Sequence, residues 1–193
     1  FYIGRPYFMT TGAPPQYLMG YIRLIHYVAA GVFVMTGLVR FYWLFAGNQF
    51  ERLPALFPVR KRDWVNLVTQ VKYYLMIHPE RAPHYIGHNP LQQLSYTTTY
   101  VVSIVVMLTG FAMYGQAEPG GFFYTITQPL TLAVGGIQVV RLVHHLCVWW
   151  FIIFPIMHIY LVIRKEVTER GGGLSGIVNG GHYIRADKDY VDE

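Results

Sequence analysis

The chain has 193 residues, of which 53% are hydrophobic and only 13% are charged, and its formal net charge is +5. Soluble domains usually have about 25% charged residues, so this composition indicates a membrane protein. The positive charge lies mostly in the connections between apolar segments rather than on one face, which argues against a nucleic-acid partner. The single cysteine, Cys147, excludes an internal disulfide and any zinc or iron–sulfur site held by cysteines of this chain alone.

Three apolar segments have about the length needed to cross roughly 30 Å of hydrocarbon. They are predicted at about residues 21–47, 95–114 and 141–163. We therefore expect an all-α transmembrane helical bundle in which residues 1–193 form one membrane domain. The chain opens at Phe1 without a methionine and reads as if an element precedes it, so we expect it to be part of a longer sequence.

The connections between the spans differ in basic residues, and this difference sets the predicted topology. Residues 48–94 and the tail, 164–193, contain most of the Lys and Arg, whereas residues 1–20 and 115–140 contain only Arg5. Since basic connections stay on the cytoplasmic side, the first two regions are predicted to be cytoplasmic and the other two to lie outside. The tail is Gly-rich and is expected to be extended or bound to a partner.

Two connecting regions contain local structure signals. The segment that follows Asp63 has helical apolar spacing, so we predict a helix with Asp63 as its N-cap, lying along the cytoplasmic membrane surface. In the outer connection, residues 118–121 (Glu-Pro-Gly-Gly) predict a turn. The aromatic run at 122–124 predicts a segment at the membrane interface or against a partner.

Histidines occur inside the apolar segments, where ionisable side chains are costly and usually functional. His26 lies in the first segment, and His144, His145 and His158 lie in the last. With the predicted topology, His26 and His144 lie at similar depth near the outer face. Two imidazoles at matched depth on different helices are what the two axial positions of a membrane haem b require.

Helical phase separates the histidines of the last segment. His158 follows His144 by fourteen residues, nearly four turns, so the two share a side of the helix about 21 Å apart, whereas His145 points about 100° away. We therefore predict His26 and His144 as ligands of an outer haem and His158 as a ligand of a second. His158 has no partner in the other spans. The second ligand of that haem is expected from an absent upstream helix, or from His84 or His88 in the loop. Otherwise only one haem is bound.

Each feature also has a simpler interpretation. A lone histidine in a span often only forms a hydrogen bond between helices, and metal binding by His145 with Cys147 is disfavoured by their diverging directions. Arg23, one turn before His26, is predicted to pair a haem propionate. Arg40 is predicted either to serve the second haem or a quinone, or to extend to the cytoplasmic interface.

Several stretches give the chain a resemblance that covers nearly its whole length. It resembles the cytochrome b subunit of membrane-bound [NiFe] uptake hydrogenases. The cytochrome b subunits of formate dehydrogenases have similar folds and are the relatives with which this family is most easily confused. The resemblance rests on the segments FYIGRP, GYIRLIHY (at His26), GHNPL (at His88), LTGFAMYG, VRLVHHL (at His144), MHIYLVIRKEV (at His158) and IVNGGHYIR. One departure is Arg141, where other members have a further histidine.

The resemblance implies a multi-pass protein of the bacterial inner membrane with four helices and two b haems. The first helix would precede Phe1 and would supply the partner of His158, while His26 would pair with His144. Such a subunit has no hydrogen-activating site of its own. It anchors a periplasmic hydrogenase of small and large subunits and passes electrons from the iron–sulfur small subunit to quinone.

From this resemblance and the predicted topology we expect the small subunit to dock on the outer face, near Arg23 and residues 115–140. Quinone is expected near the cytoplasmic haem, with Arg40, His88 and His158 as its neighbours. The alternatives are a formate dehydrogenase cytochrome subunit and a haem-free membrane anchor. A proton-relay transporter is less favoured, because the sequence has no inverted repeat.

Overall fold

A computed structural model of the chain describes residues 18–47, 52, 56, 61–77, 83–85, 88–169, 180 and 191. Five α-helices have their bounds within these residues. They are α1 (Leu18–Ala46), α2 (Lys61–Tyr74), α3 (Pro90–Gly115), α4 (Phe122–Ala133) and α5 (Ile137–Glu169). The prediction of an all-α protein is confirmed.

Three of these helices are long and apolar enough to cross a membrane. The candidate spans are Met19–Ala46 in α1, Pro90–Gly115 in α3 and Ile137–Val167 in α5. In α3 and α5, large apolar side chains such as Val101, Ile104 and Trp149 are exposed. Such exposure suits contact with lipid and not with water, and the chain is a multi-pass integral membrane protein.

The chain divides into two units, residues 1–39 and residues 40–193. In the first unit, α1 extends from Leu18 to the boundary. The second unit contains the last turns of α1 and all of α2 to α5. In this second unit α3 packs against α2, α4 and α5.

The start of α3 is fixed by local side chains. Asn89 is the N-cap: its side chain accepts the backbone N–H of Gln92 at 2.9 Å, and the Gln92 side chain accepts the backbone N–H of Asn89 at 3.0 Å. Pro90 occupies the first turn, where a missing N–H costs nothing. This reciprocal capping box begins the helix five residues before the predicted apolar span.

Residues 115–140, the connection predicted to lie outside, contain a helix, α4, that was not predicted from the sequence. The predicted turn is present, with the N–H of Gly121 donating to the carbonyl of Glu118 at 3.0 Å. The aromatic run after it forms the first turn of α4, and Phe123 stacks on Phe111 of α3 with ring centroids 5.2 Å apart and planes at 2°. A Cβ on Gly115 would lie 2.7 Å from the backbone nitrogen of Tyr124, so this close approach of α3 to α4 requires glycine.

A glycine cap joins α4 to α5. The N–H of Gly136 donates to the carbonyl of Thr131 at 2.8 Å, and the N–H of Gly135 donates to that of Leu132 at 3.1 Å. Gly135 has φ +100°, the left-handed conformation that this cap requires and that glycine adopts at low cost. The helix therefore ends sharply, and α5 begins at Ile137.

Helix α2 is present in the 48–94 connection, where a helix was predicted, but the predicted N-cap is wrong. Asp63 is the third residue of α2, not its N-cap, and its carboxylate lies in the first turn, where a negative charge is favourable to the helix dipole. Near the middle of α2, the buried Gln70 side chain donates to the carbonyl of Pro83 at 2.8 Å. At its end, the guanidinium of Arg164 on α5 donates to the carbonyls of Tyr73 and Tyr74.

Candidate functional site

The predicted site residues fall in both units of the chain. Arg23 and His26 lie on α1 in the first unit, where the His26 ring makes an edge-on contact with Tyr27 at 6.0 Å between centroids. Arg40, His144 and His158 lie in the second unit. The pairing of His26 with His144 stays a prediction.

His144 faces α3. Its Nδ1 lies 3.0 Å from the hydroxyl oxygen of Thr109, a side chain that is only 9% exposed. The same hydroxyl lies 2.7 Å from the carbonyl oxygen of Val105 and 3.1 Å from that of Val106, both in its own helix. The His144 ring is therefore held by a polar contact between α3 and α5.

The residue next to Thr109 makes room for this imidazole. A Cβ on Gly110 would lie 3.4 Å from Cε1 of His144 and 3.9 Å from its Nδ1. The glycine thus lets the ring lie against the backbone of α3. Small residues at such positions allow close approach of helices in membranes.

His145 has different surroundings from its neighbour. It is exposed, and its Nδ1–H donates to the carbonyl of Arg141 on the preceding turn at 2.6 Å. The planes of the two histidine rings are 78° apart, with centroids at 6.3 Å. Helical phase predicted this divergence, since adjacent residues are about 100° apart.

His158 lies among aromatic rings on the same helix. It stacks on Phe154 with centroids 5.7 Å apart and planes at 20°, and Phe154 stacks on Trp150 at 5.5 Å and 14°. A cavity of about 120 Å³ adjoins His158 and is lined by side chains of α3 and α5, together with Tyr74 of α2. The cavity lining includes the polar side chains of Gln92, Ser95, Tyr96 and Lys165.

Tyr96 connects His158 to His88. Its ring meets His88 edge-on at 5.1 Å and His158 at 6.4 Å, between centroids. Burial, and after it the positive charge of Arg40, lower the pKa of His88 below its ordinary value of 6.5. Arg40 donates from Nε to the Tyr100 hydroxyl at 2.6 Å. The second unit therefore brings Arg40, His88 and His158 into one neighbourhood.

The remaining histidines are His84, His78 and His182. The backbone carbonyl of His84 accepts the N–H of Val191 at 3.0 Å, and the carbonyl of Val191 accepts the guanidinium of Arg62 at 2.9 Å. His78 and His182 lie outside the described residues. Among the residues that the structure describes, no group of three His, Cys, Asp or Glu side chains is placed to hold a metal ion.

Three residues that contact the predicted site residues were not identified from the sequence, namely Tyr96 and Tyr100 beside His88, His158 and Arg40, and Thr109 beside His144. All three lie in α3, the span without a histidine, where the sequence has a run of Thr, Ser and Tyr residues. That polar run in an apolar helix was the available signal, because polar side chains within spans usually face other helices and not lipid.

Comparison with known proteins gives consistent matches over the chain. A family model described as "Prokaryotic cytochrome b561" matches residues 3–180. A probable Ni/Fe-hydrogenase B-type cytochrome subunit of Azotobacter chroococcum mcd 1 is 37% identical, over 97% of this chain and 80% of that protein. Similarly named subunits of Cupriavidus necator (35% identical; 93% of this chain, 75% of that protein) and Escherichia coli K12 (32%; 93% and 78%) also match.

Proposed function

Because the chain belongs to the prokaryotic cytochrome b561 family, we propose that it is the cytochrome b subunit of a membrane-bound Ni/Fe hydrogenase and takes part in electron transfer through haem b. The relatives described above are all named as probable Ni/Fe-hydrogenase B-type cytochrome subunits, which favours this assignment over a formate dehydrogenase subunit. The observation that carries the proposal is the orientation of His144, an imidazole within an apolar span that is held against α3 by Thr109.

The residues present fit a haem. Gly110 leaves space for the His144 ring, and a ring bonded through Nδ1 offers Nε2 as the ligand atom. We assign His144 and His26 as the residues that would ligate one haem b, with Arg23 as the residue that would pair a propionate, and His158 as a residue that would ligate a second haem. When bound, haem b supplies a one-electron redox centre that needs no open coordination position.

We further propose that the subunit anchors a periplasmic hydrogenase of small and large subunits in the bacterial inner membrane. Electrons enter from the iron–sulfur small subunit, which docks near Arg23 and residues 115–140. Support for this surface comes from α4, a helix in the outer connection that exposes Phe122, Ile126 and Leu132. Apolar side chains at an interface suit contact with lipid headgroups or with a partner anchored there.

Quinone is the proposed electron acceptor, at the predicted cytoplasmic ends of α3 and α5. The cavity beside His158 is apolar with a few polar groups, which is the usual character of a small-molecule site. His88 contacts Tyr96, which lines this cavity. The positive charge of Arg40 acts on His88, and its side chain is bonded to Tyr100. Arg40, His88 and His158 are thus proposed as the neighbours of the quinone head group.

Optical spectra of the purified hydrogenase complex test the central proposal. We expect a b-type α-band that appears on reduction, and H₂ as the only reductant should produce it. His26→Ala and His144→Ala should each abolish the outer haem signal, while His158→Ala should spare that signal. His145→Ala is the matched control, because this neighbouring ring donates to its own helix.

Three outcomes would contradict the proposal. A wild-type complex without a b-type band would indicate a haem-free anchor. Full haem retention in His144→Ala, with loss in His145→Ala, would show that the neighbouring histidine is the ligand. Reduction by formate but not by H₂, through the partner that co-purifies, would instead support the formate dehydrogenase alternative.

A further inference from the structure

We infer that Thr109 is a positioning residue for the haem ligand His144: its hydroxyl oxygen accepts the Nδ1–H of the imidazole and thereby presents Nε2 to the iron. This inference rests on the proposed function, since it gives Thr109 a role toward a haem. It concerns a residue of α3, the span that supplies no histidine ligand.

The direction of the hydrogen bond follows from the contacts of the threonine hydroxyl. The hydroxyl has one hydrogen, and the carbonyl oxygens of Val105 and Val106 lie 2.7 and 3.1 Å from the hydroxyl oxygen. A carbonyl oxygen only accepts, so if the hydrogen pointed elsewhere, lone pairs would face each other at 2.7 Å. Nδ1 of His144 can be a hydrogen-bond donor or acceptor, depending on the tautomer. All of these groups therefore have a partner only when Nδ1–H donates to the Thr109 oxygen.

A second contact between the same two helices shows the same arrangement with a donor whose identity is fixed. The hydroxyl of Thr99 donates to the carbonyl of Ser95 at 2.8 Å, and its oxygen accepts the indole N–H of Trp150 at 3.3 Å. The indole nitrogen of tryptophan only donates. Both threonines thus direct their hydrogen to a carbonyl of α3 and use their oxygen to accept an N–H from α5.

The chemical consequence is that Thr109 fixes the tautomer and the orientation of the His144 ring. With the hydrogen on Nδ1, the lone pair is on Nε2, which is the atom that ligates iron. When the Thr109 oxygen accepts a hydrogen bond from Nδ1–H, the His144 ring also donates more electron density through Nε2, which favours the oxidised iron. Thr109 therefore affects the midpoint potential of this haem as well as its affinity.

The test uses the full chain in its hydrogenase complex, with Thr109→Val as the main variant. Valine has nearly the same shape but no acceptor oxygen. We expect haem affinity at the outer site to fall by about 10-fold or more, and the midpoint potential of the remaining outer haem to rise. The outer haem is identified as the signal that His144→Ala removes. Thr109→Ser restores an acceptor oxygen and should restore both properties.

Thr99→Val is the matched control, because it removes the same hydroxyl from a contact between α3 and α5 that involves no histidine. We expect it to leave the potential of the outer haem unchanged. A potential in Thr109→Val equal to that of the wild type would overturn the inference. An equal shift in Thr99→Val would also overturn it, since the effect would then reflect general loosening of the helices.

A measurement without haem separates this inference from the proposed function. In ¹⁵N-histidine spectra of the apoprotein, His144 should be protonated at Nδ1 in the wild type and in Thr109→Ser, and should lose this preference in Thr109→Val. An Nε2-protonated His144 in the wild-type apoprotein would overturn the inference whether or not the complex binds haem. A wild-type complex without a b-type band, but with the Nδ1-protonated ring, would contradict only the proposed function.

Discussion

The side chain of Arg40 is held against α3 by Tyr100. Its Nε–H donates to the Tyr100 hydroxyl at 2.6 Å, and its guanidinium carbon lies 5.2 Å from the centroid of the same ring. A cation over an aromatic face is attracted to the ring as well as to the oxygen. The sequence left the role of Arg40 open, and the structure places its charge where it acts on His88.

The first prediction concerns this effect of Arg40 on His88. Because burial is the larger cause of the lowered pKa and the charge of Arg40 the smaller, Arg40→Gln should raise the pKa of His88 while leaving it below 6.5. Histidine NMR titration of labelled protein measures this, with His88→Gln to assign the signal. Arg40→Lys keeps the charge and should raise the pKa less. A fall in the pKa in Arg40→Gln would contradict the prediction.

The second prediction concerns the dependence of stability on pH. Since the pKa of His88 is lower in the folded protein than its ordinary value of 6.5, the unfolded chain binds more protons between the two values. The contribution of neutral His88 to stability is therefore complete above pH 6.5 and is lost as the pH falls from 6.5 through the lower, folded-state pKa. His88→Gln lacks this titration, so the stability of the wild type relative to this variant should decrease over that interval in thermal unfolding. A relative stability that increases as the pH falls would contradict the assignment.

Much of the helical architecture could be predicted because hydrophobic length is a local signal in membrane proteins. The sequence also contains a signal for the start of α3, because Asn89 and Pro90 followed by Gln92 form a capping sequence. The prediction used only the apolar residues and therefore began the span at Ser95. Helix α4 was missed for a different reason. It is only 12 residues long, contains Pro129 and packs through Phe123 on Phe111, so its stability depends on a contact with a distant segment.

For the candidate site, the sequence supplied the histidines and their helical phase but not the partners of their rings. The divergence of His144 and His145 follows from 3.6 residues per turn. The contact of His144 with Thr109 depends instead on the rotation and height of α5 relative to α3, which no local pattern encodes. The same reason explains why Tyr96, between His88 and His158, was not identified.

The third prediction concerns the close approach of α3 to α4 at Gly115. In Gly115→Ala the added Cβ would lie 2.7 Å from a backbone nitrogen of α4, so the helices must separate. We expect a loss of about 1–3 kcal/mol in the free energy of unfolding, measured by thermal or denaturant unfolding in detergent. Gly110→Ala makes the same change in the same helix, but its Cβ would lie 3.4 Å from Cε1 of the His144 side chain, which is an ordinary van der Waals distance. It should therefore cost less, and an equal loss in both variants would contradict the packing argument.

The last prediction concerns the attachment of α2 to α5 through Arg164. The final carbonyls of a helix have no partner within it. The carbonyl of Tyr73 accepts the N–H of Met76 at 3.0 Å, and the planar guanidinium of Arg164 adds a hydrogen bond to this carbonyl, at 3.1 Å, and another to the carbonyl of Tyr74. The guanidinium also lies over both rings, 5.6 and 5.9 Å from their centroids. Because α2 is polar and short, this contact should contribute much of its anchoring.

Arg164→Gln should therefore accelerate hydrogen exchange of the α2 amides by about 10- to 100-fold, as expected for the loss of about 1.5–3 kcal/mol from charged hydrogen bonds. Arg164→Lys should have an intermediate effect, since an ammonium group lacks the planar fork that reaches two carbonyls. Arg141→Gln is the control, because Arg141 is exposed and bonds only weakly to Gln138 of its own helix, at 3.4 Å. If Arg164→Gln left exchange in α2 at the rate of the Arg141→Gln protein, the helix would have to be held mainly by its packing on α3 and its contacts with Pro83 and Tyr85.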